Sequence, residues 1–200
     1  MKYRAIVFDL WDTLALWSLG NWYGLMADHL GVGRERFEEA WVGGYDLRAT
    51  GPLEPSVRAV CGALGLHEDA VEGLISVRLD ATKKALVPRE GALEVLDELR
   101  TRGYRLGLIS VCSEEVPKLW EQTELAARID EPVFSCSVGV AKPDPQIYRI
   151  AAERLGVETH ECLFVDDQPG FVAGAHEAGM HAVQLGGDIE RLEDVLELVE

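Results

Sequence analysis

Apolar residues follow two alternating rhythms along most of this 200-residue chain. Short runs rich in β-branched residues alternate with longer stretches in which apolar positions recur every three or four residues. The first rhythm predicts buried strands and the second amphipathic helices. Arg4–Phe8, Leu106–Ile109, Cys162–Val165 and His181–Leu185 read as strands, and Val133–Ser135 as a weaker one. In 91–102, Leu93, Leu96 and Leu99 mark a helical face, with Gly103 as its stop. In 145–155 the face is Ile147, Ile150, Ala151 and Leu155, with Asp144 as cap, Pro145 in the first turn and Gly156 at the end. Ile189, Leu192, Leu196 and Val199 predict a further helix over 188–199, capped by Asp188.

Strands alternating with helices predict an α/β fold, a doubly wound, mostly parallel sheet of the Rossmann-like kind. The segment 15–87 breaks that alternation. It holds no convincing strand and offers helices near 21–30, 34–47, 54–65 and 68–85, separated by Gly31-Val32-Gly33, Gly51-Pro52 and Gly65-Leu66. The chain therefore reads as an α/β core of residues 1–14 and 88–200 with an all-helical cap inserted at 15–87.

In a parallel sheet the carboxyl ends of the strands line the binding crevice. Polar residues close three of the predicted strands: Asp9, Ser110, and the pair Asp166-Asp167. Lys142 waits in a loop just before a helix. Two carboxylate-bearing strand ends, a hydroxyl and a lysine make a convergent set with the ingredients of covalent and electrostatic catalysis.

The same residues resemble four ordered motifs of the haloacid dehalogenase-like (HAD) hydrolase superfamily. Phe8-Asp9-Leu10-Trp11-Asp12-Thr13-Leu14 resembles its first motif, and Ser110 its second. Val138 to Pro145, with Lys142 at its centre, resembles the third. Phe164-Val165-Asp166-Asp167, followed by Gly174 to Met180, resembles the fourth. The helical insert resembles the cap of the subgroup containing haloacid dehalogenases and phosphoglycolate-type phosphatases. The resemblance implies Asp9 as nucleophile, with Ser110 and Lys142 on the substrate's oxygens. It implies Mg²⁺ held by Asp9, Asp167, Asp166 and the backbone carbonyl of Trp11, and Thr13 positioning the strand-one loop by hydrogen bonding.

This sequence departs from the pattern at informative places. Phosphatases of the family carry an acid–base aspartate two residues after the nucleophile, where this chain has Trp11. Indole cannot exchange protons near neutral pH. Asp12, one residue later, is expected to face elsewhere as a loop or cap residue. An aromatic residue at that position resembles the metal-free dehalogenases, but their fourth motif lacks the acidic pair kept here. Phe171 stands where a further Asp or Asn is common, and Val111 where Asn is common. The retained pair favours a Mg²⁺-dependent phosphatase with altered acid–base chemistry. The alternatives are a metal-independent 2-haloacid dehalogenase and a catalytically silent binding protein.

Composition narrows the partners. Acidic residues outnumber basic ones by 35 to 19, a net charge of −16. That disfavours nucleic acid and anionic membranes and leaves a small anionic metabolite, held by a few local cations. The N-terminal apolar stretch is too short for a signal peptide, and Cys61, Cys112, Cys136 and Cys162 show no metal-ligand spacing. They read as reduced thiols in a cytoplasmic protein. Trp17, Trp22 and Trp41 read as helical core, Arg48 and Arg58 as solvated surface, and Cys112 as packing.

Overall fold

The computed structural model describes residues 2–17 and 20–199. Five parallel strands form one sheet: β1 (Ala5–Phe8), β2 (Arg105–Ser110), β3 (Glu131–Phe134), β4 (Cys162–Asp166) and β5 (His181–Gln184). Their order is β3-β2-β1-β4-β5, so the chain moves outward from β1 on one side and then on the other. The strand order reverses between β1 and β4, where an α/β sheet opens its crevice.

Every residue of β1 is buried. Ile6 and Phe8 face one layer, with Leu96, Leu99, Val116 and Val195, while Ala5 and Val7 face the other, with Ile147, Ala151 and Ala175. Burying a side chain such as Phe8 stabilises the fold by roughly 1.5–3 kcal/mol. Helices α6 (Ala92–Thr101), α7 (Glu115–Trp120) and the short α11 (Val195–Leu198) flank the first face, and α9 (Pro145–Leu155) and α10 (Pro169–Glu177) the second. The one-turn helix α8 (Ser135–Val138) leads into the Lys142 loop.

Helix α9 has the punctuation read from sequence: the Asp144 side chain accepts from the Gln146 amide, Pro145 opens the helix, and left-handed Gly156 closes it. The C-terminal helix does not run over 188–199. Only Leu192–Asp194 (3₁₀) and Val195–Leu198 are helical, because Asp188 accepts from the Gln184 amide in a turn and caps nothing.

Between β1 and α6 lie five helices: α1 (Trp22–Leu30), α2 (Arg34–Gly43), α3 (Tyr45–Ala49), α4 (Leu53–Ala63) and α5 (Ala70–Ala85). The expected 34–47 helix is two, divided at Gly44. Gly44 sits so close to Ser56 and Val60 of α4 that a Cβ there would crowd both. These helices bury a cluster of their own that includes Met26, Phe37, Trp41, Val57 and Leu74.

Candidate active site

Phe8 of β1 pairs with Val165 of β4, which sets the next residues, Asp9 and Asp166, side by side at the reversal point. The Asp9 amide donates to the Val165 carbonyl at 2.9 Å. Lys142 reaches between them from the other face of the sheet: its Nζ donates to Asp9 Oδ1 at 2.5 Å and to Asp166 Oδ2 at 2.6 Å. Its loop is held by α10, where Gly174 lies so close to the Pro143 backbone that a Cβ would collide with it.

The ionisation states follow from burial and neighbours. Burial alone would lower the Lys142 pKa, but the two carboxylates outweigh it and leave the ammonium more firmly protonated than usual. Burial pushes the Asp9 carboxyl up to about 7, with Lys142 pulling it down and Asp166 pushing it up. Asp167 is raised to about 6, first by burial and then by the Asp166 charge.

Asp9, Asp166 and Asp167 place one carboxylate oxygen each within 4.8 Å of one another. The other oxygen of Asp166 accepts from the Gln168 amide at 2.8 Å. Asp167 Oδ1 is buried and has no hydrogen-bond partner among the described residues. An unpartnered buried carboxylate oxygen beside two more carboxylates is costly without a cation. Carboxylate oxygens with room for water and substrate oxygens are the donors Mg²⁺ prefers. The three carboxylates therefore fit such an ion, with Asp167 offering its unpartnered oxygen.

Ser110 Oγ, at the end of β2, is also buried without a hydrogen-bond partner among the described residues, as is Thr13 Oγ1. The expected side-chain hydrogen bond of Thr13 is thus absent. Backbone bonds shape the loop instead, from the Leu14 and Ala15 amides to Leu10 O, and Arg89 reaches the carbonyls of Asp12 and Thr13.

A cavity of about 390 Å³ opens onto Asp9. Trp11, Asp12, Gln168 and Phe171 line its core side. Asp12 was expected to face away, on the assumption of an extended segment. The segment is not extended: Asp12 has φ +61°, and that left-handed turn brings both Trp11 and Asp12 to the wall. Phe171 sets its ring 4.6 Å from Lys142 Nζ and supplies no acceptor side chain. Ser110, Lys142, Asp166 and Asp167 do not line the cavity.

The other side of the cavity comes from the helical insert: Trp17, Tyr23, Trp41, Tyr45, Arg48 and Arg78. Arg48, expected on the surface, is only 6% exposed, because Trp41 and Tyr45 flank its guanidinium. Arg58 does lie exposed, paired with Glu54 and Glu68. Trp22 is half-buried against the insert's core and does not line this cavity. Cys112 serves both as core and as cavity wall. Arg78 escaped the sequence reading, although a signal existed. It falls four residues after Leu74 on the buried stripe of α5, where a charge needs a partner.

Comparison with known proteins agrees with this geometry. The family model of haloacid dehalogenase-like hydrolases matches residues 3–179. A Mycobacterium tuberculosis protein described as a phosphatase is 30% identical over 191 residues, covering 91% of this chain and 87% of its own. A Burkholderia cepacia (S)-2-haloacid dehalogenase is 30% identical over 193 residues, covering 91% and 82%. Among solved structures, a HAD family enzyme of Bacteroides thetaiotaomicron, a magnesium complex, superposes with a TM-score of 0.78 at 17% identity, covering 98% of this chain and 99% of its own. A 2-haloacid dehalogenase of Pseudomonas syringae does so at 0.76 and 20%, covering 98% of each. With the sheet reversal, the aspartate at its first strand end and a match along most of the sequence, this chain belongs to the haloacid dehalogenase-like hydrolase family.

Proposed function

We propose that this hydrolase cleaves small phosphomonoesters with the help of Mg²⁺, using Asp9 as the nucleophile. The observation that carries the reading is the excess of carboxylates: Asp9, Asp166 and Asp167 converge on one point with Lys142 as their cation, and one oxygen of Asp167 is orphaned. A metal-free dehalogenase has no need of that third acid.

Asp9 attacks phosphorus and displaces the alkoxide, giving an acyl phosphate that water then hydrolyses. Lys142 and Ser110 hold phosphoryl oxygens, and Ser110 has a buried hydroxyl unengaged for that purpose. Asp9, Asp167, Asp166 and the Trp11 carbonyl would hold Mg²⁺, which would offset charge between nucleophile and phosphate. Trp11 and Thr13 shape the loop around Asp9 through their backbones, Trp11 by a bridge to Ala15 and Thr13 by a carbonyl that accepts from Arg89. Since indole supplies no proton, Asp12 on the adjoining wall is the group for the leaving oxygen. Helices α1–α5, within residues 15–87, act as the cap over a core of 1–14 and 88–200. They select a small anionic metabolite rather than nucleic acid or membrane, and no described helix is long and apolar enough to cross a bilayer.

The second reading, a 2-haloacid dehalogenase, is supported by Trp11 itself, since halide leaves without a proton. Phosphate release from an aryl phosphate, with Mg²⁺ and with chelator, tests the first reading, and chelator-resistant release would overturn it. Halide release from 2-chloropropionate would support the second.

A further inference from the structure

The turn that carries Asp12 to the cavity is held from outside itself. Asp12 is the only non-glycine residue at positive φ among the described residues, a conformation that crowds a Cβ atom. Such a residue keeps its place only where its surroundings over-determine it. The turn's amides find acceptors within the loop: Asp12 N donates to Ala15 O at 2.6 Å, and Leu14 N and Ala15 N donate to Leu10 O at 2.9 and 2.8 Å. The carbonyls of Asp12 and Thr13 receive no backbone donor among the described residues. Carbonyls shielded from water need one.

Arg89 supplies it. Its Nη1 donates to Asp12 O at 3.2 Å and to Thr13 O at 3.3 Å. Among the described residues, every hydrogen bond of its side chain ends on this turn. The Arg89 backbone is anchored to the same loop. Its amide donates to Leu14 O at 2.8 Å, beside the antiparallel bridge between Ala15 and Pro88. The backbone thus fixes where the side chain starts, and a half-buried guanidinium reaches back across the turn. Its charge strengthens both bonds, and its planar fork of N–H donors sets their direction. Arg89 does not line the cavity, so whatever it contributes there passes through the turn.

We infer that Arg89 is a positioning residue for the proton given to the leaving oxygen. By clasping the carbonyls of Asp12 and Thr13, it keeps Asp12 in the left-handed turn that brings it to the cavity wall. This rests on the reading of Asp12 as proton donor above.

The test compares 2-phenylethyl phosphate, whose alkoxide needs a proton as it leaves, with 4-nitrophenyl phosphate, whose phenolate does not. Both are assayed on the full chain with Mg²⁺. Arg89→Met lowers the alkyl-to-aryl ratio of kcat/KM by roughly tenfold or more, a part of the 10²–10⁴ that general acid–base catalysis is worth. Arg89→Lys restores part of the ratio, since an ammonium still donates to both carbonyls. Exposed Arg58→Met leaves the ratio as in the parent. Asp12→Asn tolerates the left-handed turn and also lowers the ratio, and adding Arg89→Met to it lowers the ratio no further. Hydrogen exchange without substrate gives a second readout. In Arg89→Met the amides of Asp12, Leu14 and Ala15 exchange roughly tenfold faster or more, while those of β1 keep the parent's rates.

Unchanged exchange at those three amides would overturn the inference. So would a folded Arg89→Met that slows both substrates alike while Asp12→Asn is selective. An Asp12→Asn that slows both alike, beside faster exchange in Arg89→Met, would keep Arg89 as the clasp of the turn and sink Asp12 as the donor. No phosphate release from either substrate by the parent chain would sink the phosphomonoester reading, and exchange would still decide whether Arg89 holds the turn.

Discussion

Asp9→Asn removes the proposed nucleophile and, on electrostatic grounds, stabilises the fold. Asp9 is raised from 3.8 to about 7 by burial, despite its Lys142 partner. Between about pH 4 and 7 the folded protein therefore binds more protons at this site than the unfolded chain, so Asp9 subtracts stability as pH rises through that window. The shift corresponds to an upper bound on the order of 4 kcal/mol at about pH 8, and to less than about 1 kcal/mol at pH 4. Local relaxation and water entry reduce such figures, so the expected gain of the variant at pH 8 is about 2–4 kcal/mol. Asparagine keeps the shape and can still accept from Lys142. The assay is urea unfolding of both proteins in chelator across pH 4–8, with turnover abolished in the variant. A variant less stable than the parent at pH 8, or a difference that does not shrink on acidification, would refute the reasoning.

Other consequences follow from the same site. Lys142→Met leaves Asp9 and Asp166 without their buried cation and should cost roughly 3–5 kcal/mol near neutral pH. The loss, read by the same unfolding assay, narrows as acid neutralises Asp9. Trp11→Asp installs a carboxyl where the wall faces Asp9 and should raise alkyl phosphate hydrolysis about 10²-fold or more relative to aryl. Asp12→Asn should slow alkyl more than aryl substrates, and equal slowing in kcat/KM would remove Asp12 as proton donor. Gly174→Ala drives a methyl into the Pro143 backbone and should cost about 1–3 kcal/mol, with loss of activity from the displaced Lys142 loop.

Much of the core was legible in the sequence because its physics is local. Parallel strands buried on both faces must be short apolar runs, and Asp144, Pro145 and Gly156 punctuate α9 unaided. Asp9, Ser110, Lys142 and the acidic pair were found from strand ends and motif order. The structure adds that Lys142 bridges two carboxylates and that the second oxygen of Asp166 accepts from the Gln168 amide. The side of the cavity that the helical insert lines was not legible. Arg48 lies on the five-residue α3, too short to show a buried stripe, and its burial depends on rings brought in from α2 and α3. Asp12 was misjudged because a single left-handed residue redirects the wall, and nothing in an Asp-Thr pair announces it.

Single turnover in heavy-oxygen water asks most directly whether Asp9 bonds to phosphorus or to carbon. With enzyme in excess over an aryl phosphate and Mg²⁺ present, hydrolysis of an aspartyl phosphate at phosphorus puts the label in the released phosphate and none in the peptide containing Asp9. No phosphate release from the aryl phosphate, with label retained on Asp9 and halide released after the same single turnover of 2-chloropropionate, the mark of water attacking the carbonyl of an alkyl ester, would contradict the phosphatase and assign the site to carbon–halogen cleavage.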